Sequence, residues 1–288
     1  MNPLVLVRNH IEQLWLKRWY VTPRMKGVKL DLALDLSMPG KGVRAVADLS
    51  FRPQVDSRRM VCGIGDVKIH GASWEGQAVK ARVNAPYLVL KFPEKLSAFT
   101  ETRVQLRYSY FPDQYGSVRL PMTGAEIPLS LKLTCRRPLL ALSQGSLVQG
   151  TESPPLRTYE WASPRSKRLN AIVADVRSFK KEGADGTRFW LHVHADSTEY
   201  VPRILDLIIA IYEESTAAHS KKLNHEDFHV IEADERHVKP FNSSGLIVMP
   251  RGSFRTSDKP TISGVLTPEM NKEWGRDALR LQATGSKD

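Results

Sequence analysis

Two histidines four residues apart, with a glutamate directly after the first, form the clearest chemical pattern in the chain: His225-Glu226-Asp227-Phe228-His229. On an α-helix, positions i and i+4 share one face, so two such imidazoles can bind one zinc ion while the glutamate acts on the metal-bound water. The spacing therefore offers a hydrolytic zinc site, with His225 and His229 as metal ligands and Glu226 as the catalytic base.

The residues around this pattern favour a strand. Val230-Ile231-Glu232 follows directly, and in a strand positions i and i+4 are ~13 Å apart, too far to share one metal ion. We therefore predict a junction between a loop and a strand, with no catalytic residue, no metal ligand and no required cofactor. The alternative is an active zinc metallopeptidase that uses His225, Glu226 and His229, and it requires a helix over residues 224–229.

Two further groups of residues invite a chemical role. His192 and His194 stand at i and i+2 of a predicted strand, so they share one side with Arg188 and Trp190. The presence of Arg188 and Trp190 on the same side predicts a solvated or interface side rather than a pair of metal ligands. Cys62 and Cys135 lie in apolar alternating stretches, which predicts buried thiols, with a single bridge between them as the alternative.

Composition and charge limit the classes of protein. The chain has 288 residues, 41% of them hydrophobic and 25% charged, which is typical of a soluble globular protein with one large or two ordinary domains. Its net charge of +11 favours anionic partners. The basic pairs are scattered, so nucleic acid is not the expected partner. A basic module that binds nucleic acid or an anionic membrane remains an alternative, and it requires one contiguous basic face.

The N-terminal segment, residues 1–26, reads as a basic amphipathic leader. Apolar residues recur at helical spacing up to Trp19 but are interrupted by charges, so neither a secretory signal nor a membrane span is predicted. Peripheral membrane contact through Trp15 and Trp19 is an open alternative. These observations predict a cytoplasmic protein.

The remaining sequence divides into two parts. Residues 27–180 alternate with period two, as in Val28, Leu30, Leu32, Leu34 and Leu36, and turn residues separate the stretches. This predicts an antiparallel β-saddle or sandwich. After a polar joint at 180–186, residues 181–288 combine strands with helices predicted over 199–219 and 267–282. The expected fold class is mainly β with a smaller α/β part.

The order of these elements resembles the aminopeptidase N family of zinc metallopeptidases. Thr158-Tyr159-Glu160-Trp161 and Ala171-Ile172-Val173-Ala174 are similar to the closing strands of the family's β-saddle, and Gly245-Leu246-Ile247-Val248-Met249-Pro250 resembles a strand early in its thermolysin-like catalytic domain. The resemblance covers residues 27–255. It implies a β-saddle followed by the opening segment of a thermolysin-like domain, with zinc as the cofactor of the family.

The sequence departs from the family at its active site. A Gly-x-Met-Glu-Asn segment, whose glutamate holds the substrate's free amino terminus, precedes the Gly-Leu-Ile strand in the family. Here Asn242 stands where that glutamate belongs, and an amide lacks the charge that an ammonium group needs. The family's His-Glu-x-x-His helix is expected after Gly245, yet the last histidine is His237.

The resemblance therefore implies a truncated or non-catalytic relative, in which residues 181–288 form an incomplete thermolysin-like domain. Asn242, Ser243, Ser244 and Gly245 are the expected substrate-binding residues, because the matching family segment hydrogen-bonds the main chain of a peptide. A peptide or protein bound through the saddle or through this segment, or a second copy of the chain, is the expected partner. Whether the chain is an enzyme is left open at this point.

Overall fold

A computed structural model of the protein describes residues 13–14, 16–18, 24–37, 42–111, 118–122, 127–143, 145–166, 169, 171–219, 226–233, 241–243, 245–255, 262–264 and 266–271. The chain divides into two compact units. One comprises Met1–Arg137 with Gly145–Ala171, and the other comprises Pro138–Gln144 with Ile172–Asp288.

The strands and the long helix follow one another along the chain. They are β1 (Met25–Leu36), β2 (Val43–Pro53), β3 (Ser57–Gly63), β4 (Lys68–Trp74), β5 (Gln77–Ala78), β6 (Lys80–Asn84), β7 (Tyr87–Leu96), β8 (Thr102–Tyr110), β9 (Ile127–Arg136), β10 (Leu140–Ser143), β11 (Ser146–Ser153), β12 (Leu156–Ser166), β13 (Ala171–Ala174), β14 (Arg177–Glu182), β15 (Arg188–Val193), α1 (Val201–His219), β16 (Asp227–Glu232), β17 (Phe241–Ser243) and β18 (Leu246–Met249).

The first unit is built around an eight-stranded sheet in the order β11-β12-β9-β1-β2-β8-β4-β5. The predicted alternation is visible in β1, where Leu30, Leu32 and Leu34 are buried and the residues between them are partly exposed. Neighbouring strands run antiparallel, except that β1 and β9 are parallel, with Leu32 opposite Leu131. The sheet is therefore mixed rather than wholly antiparallel.

A three-stranded antiparallel sheet in the order β3-β7-β6 forms a second layer of this unit. Phe92 of β7 contacts Phe51 and Trp74 of the large sheet, with ring centroids 6.1 and 6.0 Å apart. The two layers thus share a core, and the predicted sandwich is present. Cys62 and Cys135 are buried, as predicted, and no disulfide joins them. Burial raises the pKa of Cys62 to about 12.

The second unit contains a five-stranded sheet in the order β14-β15-β16-β18-β17. Its three central strands β15, β16 and β18 are parallel, and both edge strands are antiparallel to their neighbours. The apolar side of α1, including Ile204, Ile208 and Ile211, is buried in one core with residues of these strands. Mainly β structure with a smaller α/β part is therefore confirmed as the fold class.

Several sequence-based boundaries differ from the structure. The predicted division at residues 180 and 181 falls inside β14, which pairs with β15 and so belongs to the second sheet. A short 3-10 helix, Ala195–Tyr200, precedes α1, which begins at Val201. Residues 262–264 and 266–271 are helical, while the rest of the helix predicted over 267–282 lies outside the described residues. Most of the leader, residues 1–26, also lies outside them.

No helix among the described residues is both long enough and apolar enough to cross a membrane.

Candidate functional site

One of the two edges of the second sheet is formed by β17. This strand pairs antiparallel with β18, with Phe241 opposite Val248 and Ser243 opposite Leu246, and nothing pairs with its other side in the described part of the chain. Gly245 closes the hairpin with a φ of 80°, which a residue without Cβ adopts at little cost. The hairpin therefore presents β17 as an edge to which another extended chain can add.

The structure places the four predicted substrate-binding residues on this hairpin as far as it describes them. Asn242 and Ser243 lie in β17, Gly245 is buried in the turn, and Ser244 lies outside the described residues. Successive residues of an antiparallel strand alternate between pairing with the neighbour and facing away from it. Some main-chain N–H and C=O groups of β17 therefore point away from β18 and can hydrogen-bond an added strand.

The histidine pattern lies on the neighbouring strand, β16, and not on a helix. Asp227 and His229 are residues of β16, Glu226 precedes it as an exposed residue, and His225 lies outside the described residues. The helix that the zinc-peptidase alternative requires does not form over Glu226–His229, because this segment pairs in parallel with β15. The predicted loop-to-strand junction is confirmed for these residues.

His229 takes part in two contacts that hold it within the sheet. Its backbone N–H donates to the carbonyl of Gly245 at 2.7 Å, which ties β16 to the turn of the β17–β18 hairpin. Its Nδ1 atom lies 3.1 Å from Nε2 of His192 on β15, within hydrogen-bonding distance. The two imidazole centroids are 5.4 Å apart and the rings are nearly parallel, at 15°. Trp190 lies beside both rings, with centroids 6.3 and 6.1 Å away.

Burial sets the charge of these two imidazoles. Desolvation, followed by repulsion from His229, lowers the pKa of His192 to about 3. Desolvation also lowers the pKa of His229 to about 4, although the Asp227 carboxylate acts in the opposite direction. Both rings are therefore neutral at neutral pH. Of the predicted solvated or interface side, the solvated part is wrong for His192 and His194, since both are buried.

A second polar group borders the histidine pair. Arg188 donates to both carboxylate oxygens of Asp227, from Nε at 2.8 Å and Nη2 at 2.6 Å, and Trp190 Nε1 donates to Oδ1 at 2.8 Å. These hydrogen bonds outweigh partial burial and lower the pKa of Asp227. The carboxylate is thus an ionised partner of Arg188, and it is not available as a catalytic base.

The carboxyl end of β16 holds a buried glutamate that the sequence did not single out. Glu232 accepts hydrogen bonds from the backbone N–H of His194 at 3.0 Å and from Ser197 Oγ at 3.1 Å, and from the backbone N–H of Gly252. These donors lie after β15 and after β18, so one carboxylate joins the carboxyl ends of three parallel strands. Its position in an apolar run, Val230-Ile231-Glu232-Ala233, was the available signal.

A zinc site requires three or four converging donors. No group of three or more histidine, cysteine, aspartate or glutamate side chains converges in the described part of the chain. His192 and His229 are hydrogen-bonded to each other, and Asp227 is bound by Arg188 and Trp190. These described residues do not fit a zinc centre.

Solved structures resemble this chain closely enough to define its fold. A variant of an M1 zinc metallopeptidase from Deinococcus radiodurans matches with a TM-score of 0.59 and 16% identity, over 84% of this chain and 63% of that one. A two-domain M1 zinc metallopeptidase variant bound to L-arginine matches with a TM-score of 0.60 and 15% identity, over 85% and 64%. The chain thus spans less than two thirds of these relatives. No protein-family model and no curated protein matches it.

Proposed function

We propose that this chain is a relative of the M1 metallopeptidases that binds an extended peptide along β17 and does not hydrolyse it. The observation that carries the proposal is the position of β17, a free edge strand that pairs with β18, which in turn pairs with β16. An extended peptide can add to such an edge through main-chain hydrogen bonds. The likeness to M1 structures supports the assignment to M1-like proteins. The aminopeptidase N resemblance supports residues 242–245 as the peptide-binding segment.

Two observations support the absence of hydrolysis. Asn242 occupies the position of the glutamate that holds the free amino terminus of the substrate in the resembled family, so that contact loses its charge. The His-Glu-x-x-His spacing at 225–229 runs into β16, where His229 pairs with Trp190 in the strand register. The chain would therefore hold a peptide without the metal-bound water that cleavage needs.

The test compares two turns in the second unit in which a glycine has a positive φ. Gly245, with a φ of 80°, closes the β17–β18 hairpin, and Gly186, with a φ of 82°, lies in the turn before β15. Valine is strained by the positive φ at either position, so the backbone cost of the two substitutions is comparable. Gly245 is buried, whereas Gly186 is exposed and has nothing within 4 Å of an added Cβ. We expect Gly245→Val to abolish binding of a labelled extended peptide, and Gly186→Val to leave it unchanged.

Hydrogen exchange and metal analysis complete the test. A bound peptide should slow amide exchange within residues 241–243, and the purified chain should neither retain stoichiometric zinc nor release amino acids from the peptide. Equal loss of binding in both glycine variants would argue against the β17 edge. One zinc per chain that is lost on His229→Gln, together with peptide cleavage, would establish the metallopeptidase alternative instead.

A further inference from the structure

Three basic side chains stand side by side on the outward side of the three-stranded sheet. Arg59 of β3 lies opposite Lys91 of β7, and Lys91 lies opposite Lys80 of β6 in the next pair. All three are exposed, while Met60 and Leu90, which point to the other side, are fully buried. Residues directly opposite one another on antiparallel strands share a face, so these three form one row of cations, hereafter the basic row.

Like charges in directly opposed positions destabilise a sheet, so such a row needs a compensating partner. None of its three members has an ion-pair partner within the described ranges of the chain. Three exposed cations of the large sheet do have such partners. Lys29, Arg103 and Lys132 each lie within 3.3 Å of a carboxylate oxygen, on Asp31, Asp48 and Glu160 respectively. Other exposed cations of the large sheet, such as Lys26 and Lys68, show no ion pair among the described residues either. The small sheet differs because its three unpaired cations lie directly opposite one another.

Two apolar side chains project from the loops at the Arg59 end of the same layer. Phe99, between β7 and β8, is 72% exposed, and Val55, between β2 and β3, is 45% exposed. The two loops are fastened together, because the N–H of Phe99 donates to Pro53 O at 2.7 Å and the N–H of Ala98 donates to Asp56 Oδ1 at 2.8 Å. Phe99 and Val55 therefore form one apolar tip, hereafter the tip.

The backbone at the tip is strained. Phe99 has a φ of 61°, in the left-handed region that a bulky L-residue rarely adopts. The strained backbone holds the large apolar ring of Phe99 in water, so burial of this ring contributes little to the stability of the fold. Strain of this kind is retained where the exposed side chain has a use.

The basic row and the tip lie close enough to meet one surface. Arg59 is four residues from Val55, and a strand rises about 3.3 Å per residue, so the two lie within ~13 Å. Arg58, also exposed, lies between them. An apolar tip bordered by cations matches the interface of an anionic bilayer, where apolar side chains enter below the headgroups and basic side chains remain at their level.

We propose that the first unit docks on an anionic lipid surface, with Phe99 and Val55 inserted and Arg59, Lys91 and Lys80 against the phosphates. A nucleic acid fits these residues less well. The basic row and the next row along the strands, Val61, Val89 and Arg82, carry no aromatic side chain on which successive bases could stack, and the exposed ring of Phe99 lies at the tip, outside these rows. This inference is independent of the peptide site on β17, which belongs to the other unit.

The experiment measures binding to vesicles of phosphatidylcholine alone and of phosphatidylcholine with phosphatidylserine, by flotation at several salt concentrations. We expect binding to the anionic vesicles only, weakening as salt rises. The variant Arg59→Gln/Lys91→Gln/Lys80→Gln should lose about fivefold in partition coefficient for each cation removed. The matched control Lys29→Gln/Arg103→Gln/Lys132→Gln changes the net charge equally and should retain most of the binding.

A second pair of variants tests the tip. Phe99→Gly relieves the positive φ, so we expect weaker vesicle binding at an unchanged or raised melting temperature. Phe111→Gly removes a side chain that is 75% exposed beyond the opposite end of β8, and it should bind as the unmodified protein does. A merely structural role for Phe99 predicts a lower melting temperature instead.

Three results would overturn the proposal: equal binding to neutral and anionic vesicles, equal losses in the two triple variants, or unchanged binding by Phe99→Gly. Binding of the unmodified protein to a duplex DNA probe, lost in the basic-row variant and unaccompanied by vesicle binding, would assign the surface to nucleic acid and overturn the lipid assignment.

Discussion

At the scale of single residues, His192 and His229 show how burial decides chemistry. Each imidazole has lost its water, and no carboxylate compensates enough to keep it charged, so the pKa values fall to about 3 and about 4. Ser178 Oγ lies 2.8 Å from the remaining nitrogen of His192, Nδ1, which completes the hydrogen bonds of that ring. The pair is a neutral polar contact between two strands.

The first prediction follows from these two pKa values. In the unfolded chain both histidines titrate near pH 6.5, so between that pH and about 4 the unfolded state binds more protons than the folded state. The free energy of unfolding should therefore fall as the pH falls through this window, by up to about 1.4 kcal/mol per pH unit for each histidine. Above pH 6.5 their contribution is fully present.

Urea unfolding at a series of pH values measures this slope. His229→Gln keeps a hydrogen-bonding side chain but cannot titrate. Between pH 6.5 and 4 it should therefore lower the slope of the free energy of unfolding against pH by up to about 1.4 kcal/mol per pH unit. A slope identical to that of the unmodified protein would show that His229 is protonated equally in both states.

At the scale of elements, the carboxyl end of β16 is organised by Glu232. Its carboxylate accepts from donors that follow β15 and β18, including the N–H groups of His194 and Gly252. The chain leaves both strands at this edge of the sheet, where backbone N–H groups lose their sheet partners. The buried carboxylate of Glu232 accepts from two of these N–H groups, which explains why an acidic residue ends an apolar strand.

The second prediction concerns Glu232→Gln. A glutamine amide has one acceptor oxygen and one NH2 donor, so at least one of the three donors around it would face another donor. We expect the free energy of unfolding to fall by about 1–3 kcal/mol. Glu160→Gln removes an exposed carboxylate that pairs with Lys132, and it should cost less than about 1 kcal/mol. Denaturant unfolding of both variants makes the comparison, and equal costs would contradict the buried role.

At the scale of the whole molecule, the chain builds two separate cores. The first unit buries the inward residues of the eight-stranded sheet, such as Leu32, Leu106 and Leu131, and the second buries α1 against β15, β16 and β18. The apolar side of α1 is covered, with Ile208 fully buried. An incomplete domain would leave the apolar side of this helix partly uncovered, and in the structure that side is buried.

The third prediction is that two groups of amides exchange slowly with solvent. One should lie in β1, β2, β8 and β9, and the other in β15, β16, β18 and α1, because protection follows buried and well-paired backbone. Hydrogen exchange followed by mass spectrometry separates the two groups. Protection confined to the first group would show that the second core is only marginally stable.

The amino-acid sequence by itself determined the kind of structure. Alternating apolar residues, as in Leu30, Leu32 and Leu34, specify strands because side chains on a strand alternate between its faces. The same local argument correctly placed residues 226–229 at the junction between a loop and a strand. The order of elements then sufficed to indicate the class of fold that the M1 structures share.

Only the tertiary structure decided which residues meet. The contact of His192 with His229, the row of Arg59, Lys91 and Lys80, and the donors around Glu232 all join residues from different elements. Such neighbours depend on strand order and register, and a shift by one residue would turn each side chain to the other face. The parallel pairing of β1 with β9, across almost a hundred residues, could not be predicted from the sequence because it too depends on strand order. Local patterning fixes the elements, whereas long-range pairing creates the sites.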